Sequence, residues 1–198
     1  MGAAGEWRRT AAQLVLIQAV VGFGAGLLIP FVDVLYKVRF GLPDPLLGAL
    51  FAASSVVTAL GTLVVPVVAQ RLGKVRAAVI SQALSIPFLL LMGFSAQLAW
   101  SAVGFLVRTA LMNMVAPALS ALFMELVPER RRALTSGLVV LGWNVAWAVS
   151  AFLSGRLQVA VGFATIFLIT ASFYALVPAL TYGFFRHVRE AREEERAA

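Results

Sequence analysis

The sequence predicts an all-α integral membrane protein of six transmembrane helices, with both chain ends on the cytoplasmic side. Three observations carry this. The first is composition. Of the 198 residues 61% are hydrophobic and 13% charged, with a mean hydropathy of +0.93, whereas a soluble domain is about half apolar and a quarter charged. Six spans of about 20 residues need about 120 apolar positions, and 61% of 198 is about 121. The second is charge spacing. Uncharged runs cover 10–32, 45–70, 77–107, 109–124, 133–155 and 157–185, separated by short charged interruptions. The third is the sign of those interruptions. With the N-terminus inside, twelve basic residues fall on inner segments: Arg8 and Arg9; Arg71, Lys74 and Arg76; Arg130, Arg131 and Arg132; Arg186, Arg189, Arg192 and Arg196. Three, Lys37, Arg39 and Arg156, fall outside, and Arg108 lies within the membrane. Cytoplasmic loops of helical membrane proteins carry this excess.

The same composition removes whole classes of function. Cysteine is absent and His187 is the single histidine, which excludes disulfide-stapled domains, thiolate chemistry and histidine metal clusters. No Gly-x-Ser-x-Gly motif and no pair of buried acids appears, so no enzyme, metal or cofactor is expected. A net charge of +7 invites a nucleic-acid reading, but the basic residues are dispersed over four short inner segments without a binding motif. Attraction to anionic lipid headgroups accounts for them more simply. The expected surroundings are the bilayer of the cell membrane, crossed several times.

A cytoplasmic segment, 1–10, precedes the first span, 11–35. That span is too long for a signal-peptide core and has further spans behind it, so it is expected to be retained. Gly22, Gly24 and Gly26 with Pro30 make it easy to bend or break, as in helices lining transport sites. Gln18 is a candidate binding residue on it. Asp33, near its outer end, is expected to pair with Lys37 one turn on; no deeper acid is available to carry a proton, so a proton carrier, if one is used, belongs to another chain.

The second span is 45–70. The run 77–107 is too long for one upright crossing and divides at its most polar point, Ser95-Ala96-Gln97, giving a third span at 77–94 and a fourth at 98–124. Arg108 sits about ten residues into the fourth, roughly 15 Å deep at 1.5 Å per residue. An arginine there costs ~2.5–3.5 kcal/mol on insertion scales, so it must face a cavity or a partner: a ligand's anionic or polar group, or the carbonyls of a neighbouring helix. Asn113 lies at a similar depth.

The fifth span, 133–155, carries Asn144 at that same depth, and Trp143 and Trp147 one turn apart, which combine flat apolar faces with a donor. Gly142, Ala146, Ser150 and Ser154 make a stripe of small residues that permits close helix approach. The sixth span is 159–184. The tail, 185–198, alternates four arginines with four glutamates and reads as a short solvated helix.

Two inner loops then carry a resemblance. Val68-Ala69-Gln70-Arg71-Leu72-Gly73-Lys74-Val75-Arg76 resembles the degenerate second copy of the Gly-x-x-x-Asp-Arg-x-Gly-Arg-Arg loop motif of major facilitator superfamily transporters. Glu125-Leu126-Val127-Pro128-Glu129-Arg130-Arg131-Arg132-Ala133-Leu134 resembles the Val-Pro-x-x-x-Arg loop joining the family's tenth and eleventh helices. With six spans and both ends inside, the chain resembles the C-terminal half of such a transporter. Pro66 stands at the motif's first glycine and Gln70 at its aspartate, so the charge-relay role of that aspartate does not carry over, while Arg71, Gly73 and Lys74 match.

The resemblance implies two three-helix repeats of inverted topology. Pro30 and Pro117 each lie about 19 residues into their spans, and Arg71 and Arg156 follow them by 41 and 39 residues. It further implies that the fourth span lines a cavity and that the fifth contributes to a seam between halves. Because the family's usual unit has twelve spans, it implies a half-size transporter paired with a second six-helix unit, either itself or a separate chain. Its binding residues would be Arg108, Asn113, Asn144, Trp147 and Gln18. Arg71, Gly73, Lys74, Arg130, Arg131 and Arg132 would form cytoplasmic gating loops. The competing expectation is a membrane scaffold, assembly subunit or split-gene remnant that transports nothing.

Overall fold

Two prolines interrupt long helices, and one glycine turns another back on itself. A computed structural model describes the backbone of residues 3–197 and the side chains of residues 6–187. Its elements are helices: α1 Ala3–Leu28, a 3-10 turn Ile29–Phe31, α2 Val32–Phe40, α3 Asp44–Leu72, α4 Lys74–Phe94, α5 Leu98–Asn113, α6 Ala116–Glu125 and α7 Glu129–Ala197. Five stretches are long and apolar enough to cross a membrane: Glu6–Phe40, Asp44–Leu72, Lys74–Phe94, Leu98–Glu125 and Glu129–His187.

The breaks follow from local chemistry. Pro30 has no N–H to donate into the preceding turn, and α1 gives way there to the 3-10 turn. Pro117 stands in the first turn of α6, where its missing donor costs nothing, and the helix is interrupted just before it at Met114–Val115. Gly41 closes α2 in the left-handed conformation, φ 64, its N–H on Lys37 O at 3.0 Å. Gly73, φ 83, makes the one-residue corner between α3 and α4. The predicted division at Ser95-Ala96-Gln97 matches the end of α4 and the start of α5.

One division lies elsewhere. The expected separation of the last two spans near Arg156 occurs instead at Gly162, whose φ of 77 and ψ of 164 belong to a region that essentially only glycine enters. Arg156 stays helical, its guanidinium 5.2 Å from the Phe152 ring centroid. The expected N-terminal segment is also helical from Ala3. The tail continues as helix through Ala197, while its side chains beyond His187, including Arg189, Arg192 and Arg196, lie outside the described residues.

Both arms of α7 pack on α1, and they run in opposite directions along it. On the first arm, Gly142 abuts Val15, Trp143 abuts Gly22 and Ser154 reaches Leu27, so the two helices ascend together. On the second arm, Phe167 clusters with Leu27 and Leu28, Tyr174 abuts Gly24, and Val177 and Phe185 cluster with Leu14 and Ile17. That arm descends. Gly142, Ser150 and Ser154 of the small-residue stripe thus face α1 inside the bundle. A Cβ on Gly22 would stand 2.5 Å from the Trp143 carbonyl oxygen, and one on Gly26 at 2.5 Å from that of Trp147. Only glycine admits so close a backbone approach.

α4 lies against α5 and the second arm, and α3 against α5 and α4. A buried polar knot ties three elements near the Pro30 end: Tyr36 donates to the Ser101 carbonyl at 2.9 Å, and Ser101 Oγ donates to Met92 O at 2.8 Å. The outer surface is apolar, with Leu63 74%, Phe152 68% and Val159 89% exposed. Such a surface suits hydrocarbon and not water.

Candidate functional site

Arg108, on α5, is 3% exposed. Its Nη2 donates to the hydroxyl oxygen of Tyr174 on the second arm of α7, and its Cζ lies 5.0 Å from that ring's centroid. The partner is thus a phenol, neither an open cavity nor a carbonyl. Gly24 brings the tyrosine there, since a Cβ at that position would meet Tyr174 Cε1 at 3.0 Å. Arg108 Nε is buried without a hydrogen-bond partner. The ion pairs found among the described residues are Lys37–Asp44 and Lys74–Glu125, so none of the described carboxylates pairs with this guanidinium. A buried guanidinium left with a phenol for company is costly to hold.

Asn113 and Asn144 are both exposed, and each donates to a carbonyl one turn back on its own helix, Thr109 O and Val140 O, at 2.8 Å. Neither is consumed by a neighbouring helix. Both stand near the middle of long apolar helical stretches. Trp143 and Trp147 are half-buried with ring centroids 4.9 Å apart. Gln18, also half-buried, stands one turn before Gly22 on the stripe of α1 that receives the tryptophan backbones. Gln18 and the tryptophans therefore share one seam. The structure pairs Arg108 with Tyr174 and does not bring Asn113 to either group.

Tyr174 was missed by the sequence reading. Its signal was a mid-span tyrosine four residues after Thr170, two polar positions on one helical face of a long apolar run.

At the other predicted positions the outcome is mixed. Lys37 pairs with Asp44 at 2.6 Å and not with Asp33, because the Gly41 turn reverses the chain and swings the start of α3 under the lysine. Lys74 pairs with Glu125 at 2.8 Å, joining the start of α4 to the end of α6. Arg71 and Arg130 are exposed. The Arg131 guanidinium lies 5.1 Å from the Trp7 ring centroid, and Arg132 Nε donates to Val127 O at 3.3 Å. These contacts gather the N-terminal helix and two loops at one end of the bundle.

Comparison with known proteins adds one finding. A family model described as Major Facilitator Superfamily matches residues 14–198. No curated protein matches the chain.

Proposed function

The chain belongs to the major facilitator superfamily, and from that premise, which makes it a multi-pass membrane protein of a secondary-transporter family and not an enzyme, we propose how this unit works. Each arm of α7 counts as a separate crossing, giving six spans with both ends in the cytoplasm. The proline-associated breaks at Ile29–Phe31 and Met114–Val115 support a 3+3 inverted repeat, because they interrupt the first helix of each triplet. The unit moves a small solute across the cell membrane by alternating access, against a second six-helix unit that is either another copy or a different one. Arg108, Asn113, Asn144, Trp147 and Gln18 serve the solute. Arg71, Gly73, Lys74, Arg130, Arg131 and Arg132 form the inner rim that opens and closes.

The observation that carries this is the exposure of Asn113 and Asn144 halfway along apolar helices. A side-chain amide facing hydrocarbon leaves polar atoms unpaired. A water-filled vestibule, walled by a second unit, satisfies them. The absence of cysteine makes the test direct. Asn113→Cys and Asn144→Cys, each the only thiol in the protein, are treated in native membranes with a water-soluble maleimide, and Leu63→Cys on the apolar face of α3 is the control. Rapid labelling of both asparagine positions and slow labelling of the control is expected. Equal, slow labelling of all three overturns the vestibule. The native mass of the gently extracted protein then tests the partner: a lone 21.1 kDa chain overturns the two-unit arrangement.

A further inference from the structure

We propose that Arg108, Tyr174 and Thr170 form a subsite for one compact carboxylate, in which Tyr174 switches from hydrogen-bond acceptor to donor; this rests on the transport reading and adds the class of ligand group. Three buried polar atoms converge on the inference. Arg108 Nε and Thr170 Oγ1 have no hydrogen-bond partner, and the Tyr174 hydroxyl, which accepts from Arg108 Nη2, meets no acceptor for its own hydrogen among the described residues. Thr170 is fully buried and Tyr174 1% exposed. They stand one turn apart on a single face of the second arm.

Every unmet group here can donate, and the centre of the group is a cation without a counter-ion. The missing element is an acceptor with negative charge. A carboxylate takes the side-on fork of a guanidinium through Nε and Nη2. Nη2 is the atom that Tyr174 now occupies, so an arriving carboxylate displaces the phenol from that role and receives its O–H in exchange. Thr170 supplies a further donor from the same face. A single guanidinium neutralises a single negative charge. A phosphate dianion would leave net charge at mid-membrane, where charge is costly.

The test uses the full chain purified in nanodiscs, with melting temperature as the readout, since a ligand that binds only the folded state raises it. Sodium acetate is titrated against acetamide, its neutral isostere, and against sodium chloride at equal ionic strength. Acetate is expected to raise the melting temperature saturably, and the other two are not. Arg108→Lys keeps the charge but loses the fork, and should weaken the apparent affinity about tenfold, the factor carried by one hydrogen bond to a charged group. Tyr174→Phe and Thr170→Val should each weaken it about threefold or more. Thr170→Val is nearly isosteric and loses no bond in the unliganded protein, so it keeps the test decisive if Arg108→Lys does not fold. Equal effects of acetate and chloride, or unchanged affinity in both Tyr174→Phe and Thr170→Val, overturn the subsite. Acetate binding with unreactive cysteines at 113 and 144 upholds the subsite and overturns the vestibule; the reverse pattern does the opposite.

Discussion

Ser154 Oγ donates a hydrogen bond to the carbonyl oxygen of Leu27, in the last turn of α1 before the helix breaks. Carbonyls in a final turn lack helical donors, and this one is buried beside the proline that causes the break. Gln158 Nε2 supports the same atoms, 2.7 Å from Ser154 Oγ and 3.4 Å from Leu27 O. The two side chains hold the broken end of α1 against the first arm of α7. Ser154→Ala should therefore lower stability by about 0.5–1.5 kcal/mol, read as the midpoint of unfolding in mixed micelles. Because both side chains serve one carbonyl, adding Gln158→Ala should cost less than its effect alone. Full additivity would mean that the two act separately.

Glycine at positions 22 and 26 is demanded by backbone approach, not by conformation. A methyl group at either position would meet a tryptophan carbonyl oxygen at 2.5 Å, and backbone cannot turn aside as a side-chain tip can. Gly22→Ala and Gly26→Ala should each cost about 1–3 kcal/mol by overpacking. Gly48→Ala and Gly137→Ala, with nothing within 4 Å of the new carbon, should be neutral or stabilising by up to ~1 kcal/mol through helix propensity. Four melting curves in one detergent separate the two pairs. A similar loss at all four sites would argue against the close-packed seam.

The reversal in α7 depends on one residue. At φ 77 and ψ 164, Gly162 has nothing within 4 Å of an added Cβ. Space is therefore not the obstacle; the backbone conformation is. Gly162→Ala should cost about 1–3 kcal/mol from strain alone. Gly155→Ala on the same helix, with ordinary contacts at 3.6 Å to Phe31, should cost less. Equal effects would mean that the turn is held by its neighbours and not by the glycine.

The helices were legible in the sequence wherever charge, proline or a polar triplet punctuated an apolar run, as at Ser95-Ala96-Gln97 and Pro30. The division at Gly162 was not, because Arg156 is the stronger mark on paper. An arginine near a helix end can stay helical and lay its guanidinium over an aromatic ring, as this one does over Phe152. Among the site residues, Arg108 was conspicuous because a lone charge in an uninterrupted span is expensive. Tyr174 was not, because a tyrosine in such a span is cheap and common. Whether Lys37 would meet Asp33 or Asp44 depended on the reversal at Gly41, a tertiary matter that i, i+4 spacing cannot express. The small-residue stripe announced close packing correctly, but a stripe does not name its partner, and α1 claimed it.

The Lys74–Glu125 pair yields the last prediction. Its side chains are 30% and 38% exposed, so water and salt screen it, and Lys74→Gln should change stability by no more than about 1 kcal/mol. In the transport cycle proposed above, its position gives it more leverage over opening than over folding. It joins the start of α4 to the end of α6, the segment that follows the break at Met114–Val115. Under that proposal, a helix pivoting at the break parts the pair as the inner end opens. Lys74→Gln should then speed maleimide labelling of Asn113→Cys from the cytoplasmic side of inverted vesicles by about threefold to fivefold, the factor equivalent to ~1 kcal/mol. Glu125→Gln should do the same, and high salt should narrow the difference from the unsubstituted pair. Labelling that is unchanged in both variants while the protein stays folded would make the pair a surface contact with no part in opening.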